Sequence, residues 1–240
     1  MTATRTGVSE PEADLYDLEA LAGARRLCDW MFDQYRPAVR GAVAEIGAGI
    51  GTFSERILAA GPERLLLLEP EEPSASVLER RFGDDPRVQL EREALPAAPS
   101  LSADSFDLVV CQNVLEHVDD DGAAVAAMAA ALAPSGRLAL LVPAHPRLFG
   151  GLDEHYGHHR RYPRQRLRAL VEGAGLELTG LYSFNLLGVP GWWLQSRRPG
   201  ARVTSRSLAV YEALLRFWRP VEERLRPRWG LSLIAHARRR

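Results

Sequence analysis

The chain has 240 residues, of which 46% are hydrophobic and 25% charged, the balance of one globular α/β unit with extensions. A formal net charge of -1 gives neither nucleic acid nor an anionic membrane a basic face to bind. All 30 basic residues are arginines, which excludes Schiff-base (pyridoxal-phosphate) chemistry and a lysine-bearing phosphate loop.

Residues 1–13 are expected to be disordered, and with no apolar run in residues 1–12 no signal peptide is expected. Residues 14–35 set Leu15, Leu18, Leu21, Leu27, Trp30 and Met31 at helical spacing between charges, an amphipathic arm punctuated by Pro37. Strands are predicted at 42–46, 65–68, 88–90, 106–111, 137–142, 176–184 and 230–237. Helices are predicted between them at 52–60, 73–82, 122–132, 163–174 and 203–218, several stopped by Gly or Pro such as Gly61-Pro62, Gly83 and Pro134-Ser135-Gly136. Residues 185–200 are rich in Gly, Pro and Trp. No stretch reaches about 18 apolar residues, so no spanning helix is expected. Two distant cysteines, Cys28 and Cys111, argue against a disulfide scaffold and for a reducing cytoplasm. Strands that are apolar throughout and alternate with helices imply a mostly parallel sheet covered on both faces.

The most informative stretch is Glu45-Ile46-Gly47-Ala48-Gly49-Ile50-Gly51, a strand end running into three closely spaced glycines. Glycines tolerate positive φ and remove the Cβ atoms that keep a ligand off the main chain. Glu69 follows at the next strand end, about 20 residues on, where a carboxylate can accept hydrogen bonds from both ribose hydroxyls of a nucleoside. A nicotinamide or flavin fingerprint would continue with Gly or Ala where this chain has Thr52. The residues therefore imply a nucleoside cofactor of another kind.

Together with Leu68-Glu69-Pro70, residues 106–118 (ending Gln112-Asn113-Val114-Leu115-Glu116-His117-Val118) and residues 132–138, that stretch resembles class I S-adenosylmethionine-dependent methyltransferases of the type 11/12-like small-molecule subgroup. The resemblance covers about residues 43–145. It implies a Rossmann-like, doubly wound seven-stranded sheet with an antiparallel last strand and helices on both faces, binding S-adenosyl-L-methionine. By the same resemblance Gly47, Ala48 and Gly49 pass under the methionine part of the cofactor, with Gly51 and Pro70 in the same turns. Glu45 holds the turn or the amino-acid end, Glu69 takes the ribose, Glu91 or Glu93 the adenine amino group, and Asn113 offers backbone oxygen to the ammonium. His117 is read as structural or cofactor-adjacent, and Cys111 as a small buried hydrophobe.

Methyl transfer needs alignment of donor and nucleophile, and a general base only when the nucleophile must lose a proton early. The cofactor motifs therefore leave the acceptor open. Residues 145–162 crowd histidines, tyrosines, carboxylates and arginines behind the fifth strand, at the edge where open α/β sheets bind ligands. One reading makes them an acceptor loop, with His145, His158 and Tyr162 as catalytic candidates and Asp153, Tyr156, Arg160 and Arg161 as binding candidates. A second is a metal site using His155 and His158, although no resident metal is assigned. In the third, Arg160 and Arg161 pair with helix ends and Tyr162 caps the next helix. Trp192, beside Trp193, lines an acceptor cavity, packs, makes a dimer contact or, with Arg197 and Arg198, meets a lipid surface.

The expected organisation is an N-terminal helical arm or lid at 1–40 and a methyltransferase domain at 41–240, with 185–229 inserted as a cap. The expected activity is O-, N- or C-methylation of a small molecule, in secondary metabolism, with a homodimer as the assembly considered. Cyclisation with the same cofactor and a non-catalytic partner role are the alternatives.

Overall fold

The computed structural model describes residues 10–198 and 202–239. The disorder expected for the first thirteen residues falls mostly outside these, but residues 10–13 open helix α1 (Glu10–Gly23). The arm expected as one helix is two, because Ala24 leaves helical geometry (φ -81, ψ 65) before α2 (Arg25–Asp33). Helix α2 buries Cys28, Trp30, Met31 and Phe32, and a 3-10 turn at Arg36–Ala38 then leads to the sheet.

Seven strands follow: β1 (Ala42–Ile46), β2 (Arg64–Leu68), β3 (Val88–Glu91), β4 (Phe106–Gln112), β5 (Leu132–Pro143), β6 (Leu176–Phe184) and β7 (Ser232–Arg239). Between them run α3 (Ser54–Ala59), α4 (Glu72–Phe82), α5 (Asp121–Ala131), α6 (Gly151–His155), α7 (Arg164–Gly173), α8 (Gly188–Gln195) and α9 (Ser205–Leu225). The sheet order is β3-β2-β1-β4-β5-β7-β6, with β7 antiparallel to both neighbours and the remaining pairs parallel. Alternate residues of each strand feed opposite faces. Ala44, Ile46, Leu66, Leu68, Val109 and Cys111 enter one core; Val43, Leu65, Leu67, Leu108 and Val110 enter the other.

Strand order reverses between β1 and β4, so the chain leaves their carboxyl ends in opposite directions and opens a crevice there. The register Ile46↔Leu68, Leu68↔Glu91 and Ile46↔Cys111 brings the ends of β1 to β4 level. Several elements differ from expectation, among them α8 inside the Gly-, Pro- and Trp-rich stretch. Strand β5 begins at Leu132, because residues 134–136 form an irregular extension, with Ser135 at φ 65, rather than a stop. Five-residue α6 lies inside the polar loop after β5. Helix α9 runs through Pro220 to Leu225, held at its start by Thr204, whose hydroxyl accepts from the Ser207 N–H at 3.1 Å.

Helix α9 ties the arm to the domain. The Glu212 carboxylate accepts the N–H groups of Arg26 and Leu27, both at 2.9 Å, capping α2 from outside. Its other side leaves Val210, Leu214, Phe217, Val221 and Leu225 exposed. Among the described residues no helix is long and apolar enough to cross a membrane.

Candidate active site

The turn after β1 holds Gly47, Gly49 and Gly51 at φ 69, 55 and 85. The N–H groups of Gly47 and Ala48 donate to the Leu68 carbonyl at 2.8 and 3.1 Å, anchoring the turn to β2. The glycines are bare for different reasons. A Cβ on Gly47 would lie 2.3 Å from Val114 Cγ2, and one on Gly51 would lie 2.4 Å from the Phe82 ring, so both positions are closed by packing. Among the described residues, a Cβ on Gly49 would meet only the Leu18 methyls of α1, at 3.6 and 3.7 Å. Gly49 therefore presents open main chain beneath the arm.

Glu69 closes this turn from the side. One carboxylate oxygen accepts the Gly49 N–H at 2.7 Å and the other the Glu71 N–H at 3.0 Å. Burial raises its pKa while those two hydrogen bonds oppose the rise. Glu45, at the buried end of β1, accepts from Ser54 Oγ at 2.6 Å. Burial pushes its pKa to about 8, with Glu69 adding to the rise, so the group is largely protonated at neutral pH. Asn113 sits exposed just past β4 at φ 51, its N–H given to the Leu141 carbonyl at 2.8 Å. Pro70 is exposed beside Glu69. Of the two adenine candidates, Glu91 accepts from Gln89 Nε2 at 2.9 Å, and Glu93 is committed to Ser100, accepting its N–H at 3.0 Å and its hydroxyl at 2.5 Å.

The loop after β5 stands on the same edge and is knitted inward. Arg161 is buried; its Nε donates to Asp153 Oδ1 at 2.8 Å, its NH1 to the Ala144 carbonyl at 3.0 Å, and its guanidinium lies 4.7 Å over the Trp192 ring. Asp153, also buried, receives His158 Nδ1 at 2.8 Å, the Gly150 N–H at 3.1 Å and Trp192 Nε1 at 3.3 Å. Burial alone would raise the Asp153 pKa, but His158 and Arg161 hold it below the usual value. Arg160 donates to the carbonyls of Val118 and Asp119 and pairs with Asp121 at the start of α5. The Tyr162 hydroxyl is buried between the Leu115 carbonyl and Asp121, at 3.0 Å from each. Arg160, Arg161, Tyr162 and Asp153 are thus spent on one another and on the framework, close to the reading that gave the arginines to helix ends. Tyr162 braces the turn after β4 instead of capping α7.

Two places on this edge keep unspent chemistry. His145, at φ 58, stacks on Trp229 with ring centroids 4.3 Å apart, and its Nε2 is buried without a hydrogen-bond partner. Burial and then the nearby arginines lower its pKa, favouring the neutral ring. In the 3-10 turn Leu115–His117, Glu116 is 0% exposed and neither carboxylate oxygen has a hydrogen-bond partner. Its pKa rises to about 8, chiefly by burial. Sequence reasoning passed over Glu116; its only signal there was an acid directly followed by histidine after an apolar strand. Tyr156 adjoins His158 and Trp192, with ring centroids at 6.0 and 6.1 Å.

A family model described as a methyltransferase domain matches residues 22–181, well over half of the chain. The chain belongs to the class I S-adenosylmethionine-dependent methyltransferases. This methyltransferase is 29% identical over 188 residues to a ubiquinone biosynthesis O-methyltransferase of Xanthomonas euvesicatoria, covering 71% of the chain and 74% of the relative. It is 29% identical over 129 residues to the enzyme of that name from Bordetella avium, covering 53% of the chain and 52% of the relative. It is also 29% identical over 115 residues to an uncharacterised methyltransferase-like protein of Schizosaccharomyces pombe, covering 48% of the chain and 43% of the relative. The chain thus spans only about half the length of the latter two relatives. In fold it matches a geranyl diphosphate methyltransferase solved with S-adenosylmethionine (TM-score 0.62, 16% identity, 96% of this chain, 89% of the other). A methyltransferase of Thermotoga maritima matches similarly (TM-score 0.63, 17% identity, 96% of this chain, 97% of the other).

S-adenosylmethionine is the cofactor of this methyltransferase family, and the residues present fit it. Gly49 adds no Cβ to the half-buried turn beneath the arm, and each Glu69 oxygen, having accepted one N–H, retains capacity for a hydroxyl.

Proposed function

We propose that this methyltransferase moves a methyl group from S-adenosylmethionine to an O, N or C atom of a small molecule in secondary metabolism. The observation that carries the reading is the bare turn at Gly49 clasped by Glu69 at the point of strand reversal. Gly47, Ala48, Gly49, Gly51 and Pro70 line the cofactor side, Glu69 holds the ribose, Glu45 and Asn113 face the amino-acid end, and Glu91 serves the adenine better than Glu93, which is engaged with Ser100. When bound, the sulfonium cofactor supplies an already activated methyl group. This chain's residues then have only to align the acceptor, exclude water and, for a hydroxyl, accept its proton.

Oxygen is the favoured acceptor atom, because the similar bacterial proteins are named as O-methyltransferases and the acceptor edge carries basic nitrogen. His145 is the proposed proton acceptor, since its Nε2 has no hydrogen-bond partner. Tyr156 and Trp192 wall the acceptor pocket, with residues 1–40 as lid and 185–229 as cap. Tyr162, Arg160 and Arg161 are left out of the pocket, since their polar atoms are already engaged.

The test is calorimetric titration with S-adenosylmethionine and S-adenosylhomocysteine, followed by incubation of phenols, amines and activated carbon acids with methyl-deuterated cofactor. Binding together with a labelled methyl group in one small-molecule product supports the proposal. Absence of affinity for both cofactor forms refutes it, and binding with an unlabelled, rearranged product moves the chain to the cyclisation alternative.

A further inference from the structure

Donor groups after β4 and after α6 converge. Glu116, His117 and His158 each present a donor atom, and all three atoms lie within 4.8 Å of one another. His158 Nε2 stands 3.8 Å from Glu116 Oε1, and the two imidazoles meet edge to face at 4.9 Å between centroids. Donors on one cation at bond lengths of about 2.1 Å are roughly 3.0–3.4 Å apart, so the 3.8 Å His158–Glu116 edge closes by about half an ångström and the widest edge, at most 4.8 Å, by up to about 1.5 Å when the ion binds.

Three further features point to a cation rather than a chance cluster. The Glu116 carboxylate is fully buried with no hydrogen-bond donor on either oxygen, a costly arrangement that a positive ion would resolve. His158 has its Nδ1 fixed by Asp153 at 2.8 Å, and Asp153 is itself fixed by Arg161, Gly150 and Trp192. A carboxylate on the far nitrogen is how proteins set the tautomer and aim of a metal-bound histidine. The turns carrying the donors are stitched together, the His159 N–H donating to the Glu116 carbonyl at 2.9 Å.

We propose that Glu116, His117 and His158 bind one divalent first-row transition cation beside the acceptor pocket. Two imidazoles and one carboxylate suit such an ion better than magnesium or calcium, and three protein ligands leave a position open. His117, the exposed member, puts that opening toward solvent. The role of the cation rests on the methyl-transfer reading; its binding does not. An acceptor hydroxyl on the open position becomes more acidic, its O–H bond breaking with the proton passing to His145 or water and the electron pair staying on oxygen.

Untagged full-length protein, treated with a chelator and desalted, is titrated with Co2+ while visible absorption and heat are recorded. One equivalent with ligand-field bands is expected. His117→Ala and Glu116→Gln should weaken binding more than about 100-fold, and Asp153→Asn about 10- to 100-fold. The exposed position of His117 makes its variant the safe one for folding, checked by circular dichroism and unchanged S-adenosylhomocysteine affinity. No Co2+ binding by the parent protein, or equal binding by a folded His117→Ala, overturns the site. Methyl transfer by protein that binds no Co2+ overturns the cation alone; one bound equivalent without methyl transfer upholds the site and removes the function given to it.

Discussion

Adding one methyl group at Gly51 or at Gly49 separates the packing role of the turn from its binding role. At Gly51 the new Cβ would sit 2.4 Å from Phe82 Cε2 and 2.9 Å from Leu78 Cδ2, at φ 85. Carbon atoms prefer about 3.5–4.0 Å, so the Phe82 ring must retreat by about 1 Å inside a filled core. Overpacking of this kind costs about 1–3 kcal/mol, and left-handed geometry in a residue with a Cβ about 1–2 kcal/mol more. Gly51→Ala should therefore lose about 2–5 kcal/mol of unfolding free energy. At Gly49 the φ of 55 carries the same backbone cost, but the only neighbour among the described residues is Leu18 at ordinary contact distance. Gly49→Ala should lose about 1–2 kcal/mol, yet weaken S-adenosylhomocysteine by at least about tenfold. Urea unfolding followed by circular dichroism gives the first quantity and calorimetry the second. The reasoning is refuted if Gly49→Ala unfolds as easily as Gly51→Ala while binding the cofactor product like the parent.

Two further expectations concern buried charge. Glu45 keeps in the folded state a proton that the unfolded chain releases above its ordinary value of 4.5, and its folded pKa is about 8. Stability should thus fall as pH rises through that window, by up to about 1.4 kcal/mol per pH unit from this group, and Glu45→Gln should flatten the slope; urea midpoints at about pH 5.5 and about pH 7.5 that shift equally in both proteins would contradict it. Arg161→Ala strips the buried Asp153 carboxylate of its guanidinium partner, and should cost about 3–5 kcal/mol in thermal or chemical unfolding.

The strands were legible because burial on both faces demands unbroken apolar runs, as in Leu65 to Leu68 and in Leu108 to Cys111. The position of Glu69 was legible, a strand-end acid beside the glycine turn, and there its carboxylate accepts the Gly49 N–H. Glu116 was not, since its burial and lack of partners arise from residues far off in sequence, above all His158. For the same reason Arg161 and Tyr162 read as ligand-binding groups, whereas their partners Asp153, Ala144, Leu115 and Asp121 turn them inward. Helix α6 escaped notice because five residues give no measurable periodicity.

The bracing of the loop after β5 has an evolutionary consequence. Arg160 on Val118, His159 on Glu116 and Tyr162 on Leu115 make three rungs between two loops from neighbouring strands. An insertion or deletion in either loop would break all three rungs at once, so its length is not free to drift. Diversification toward new acceptors then falls to α8 and α9, outside these rungs, the second of which exposes an apolar flank at Phe217 and Leu225.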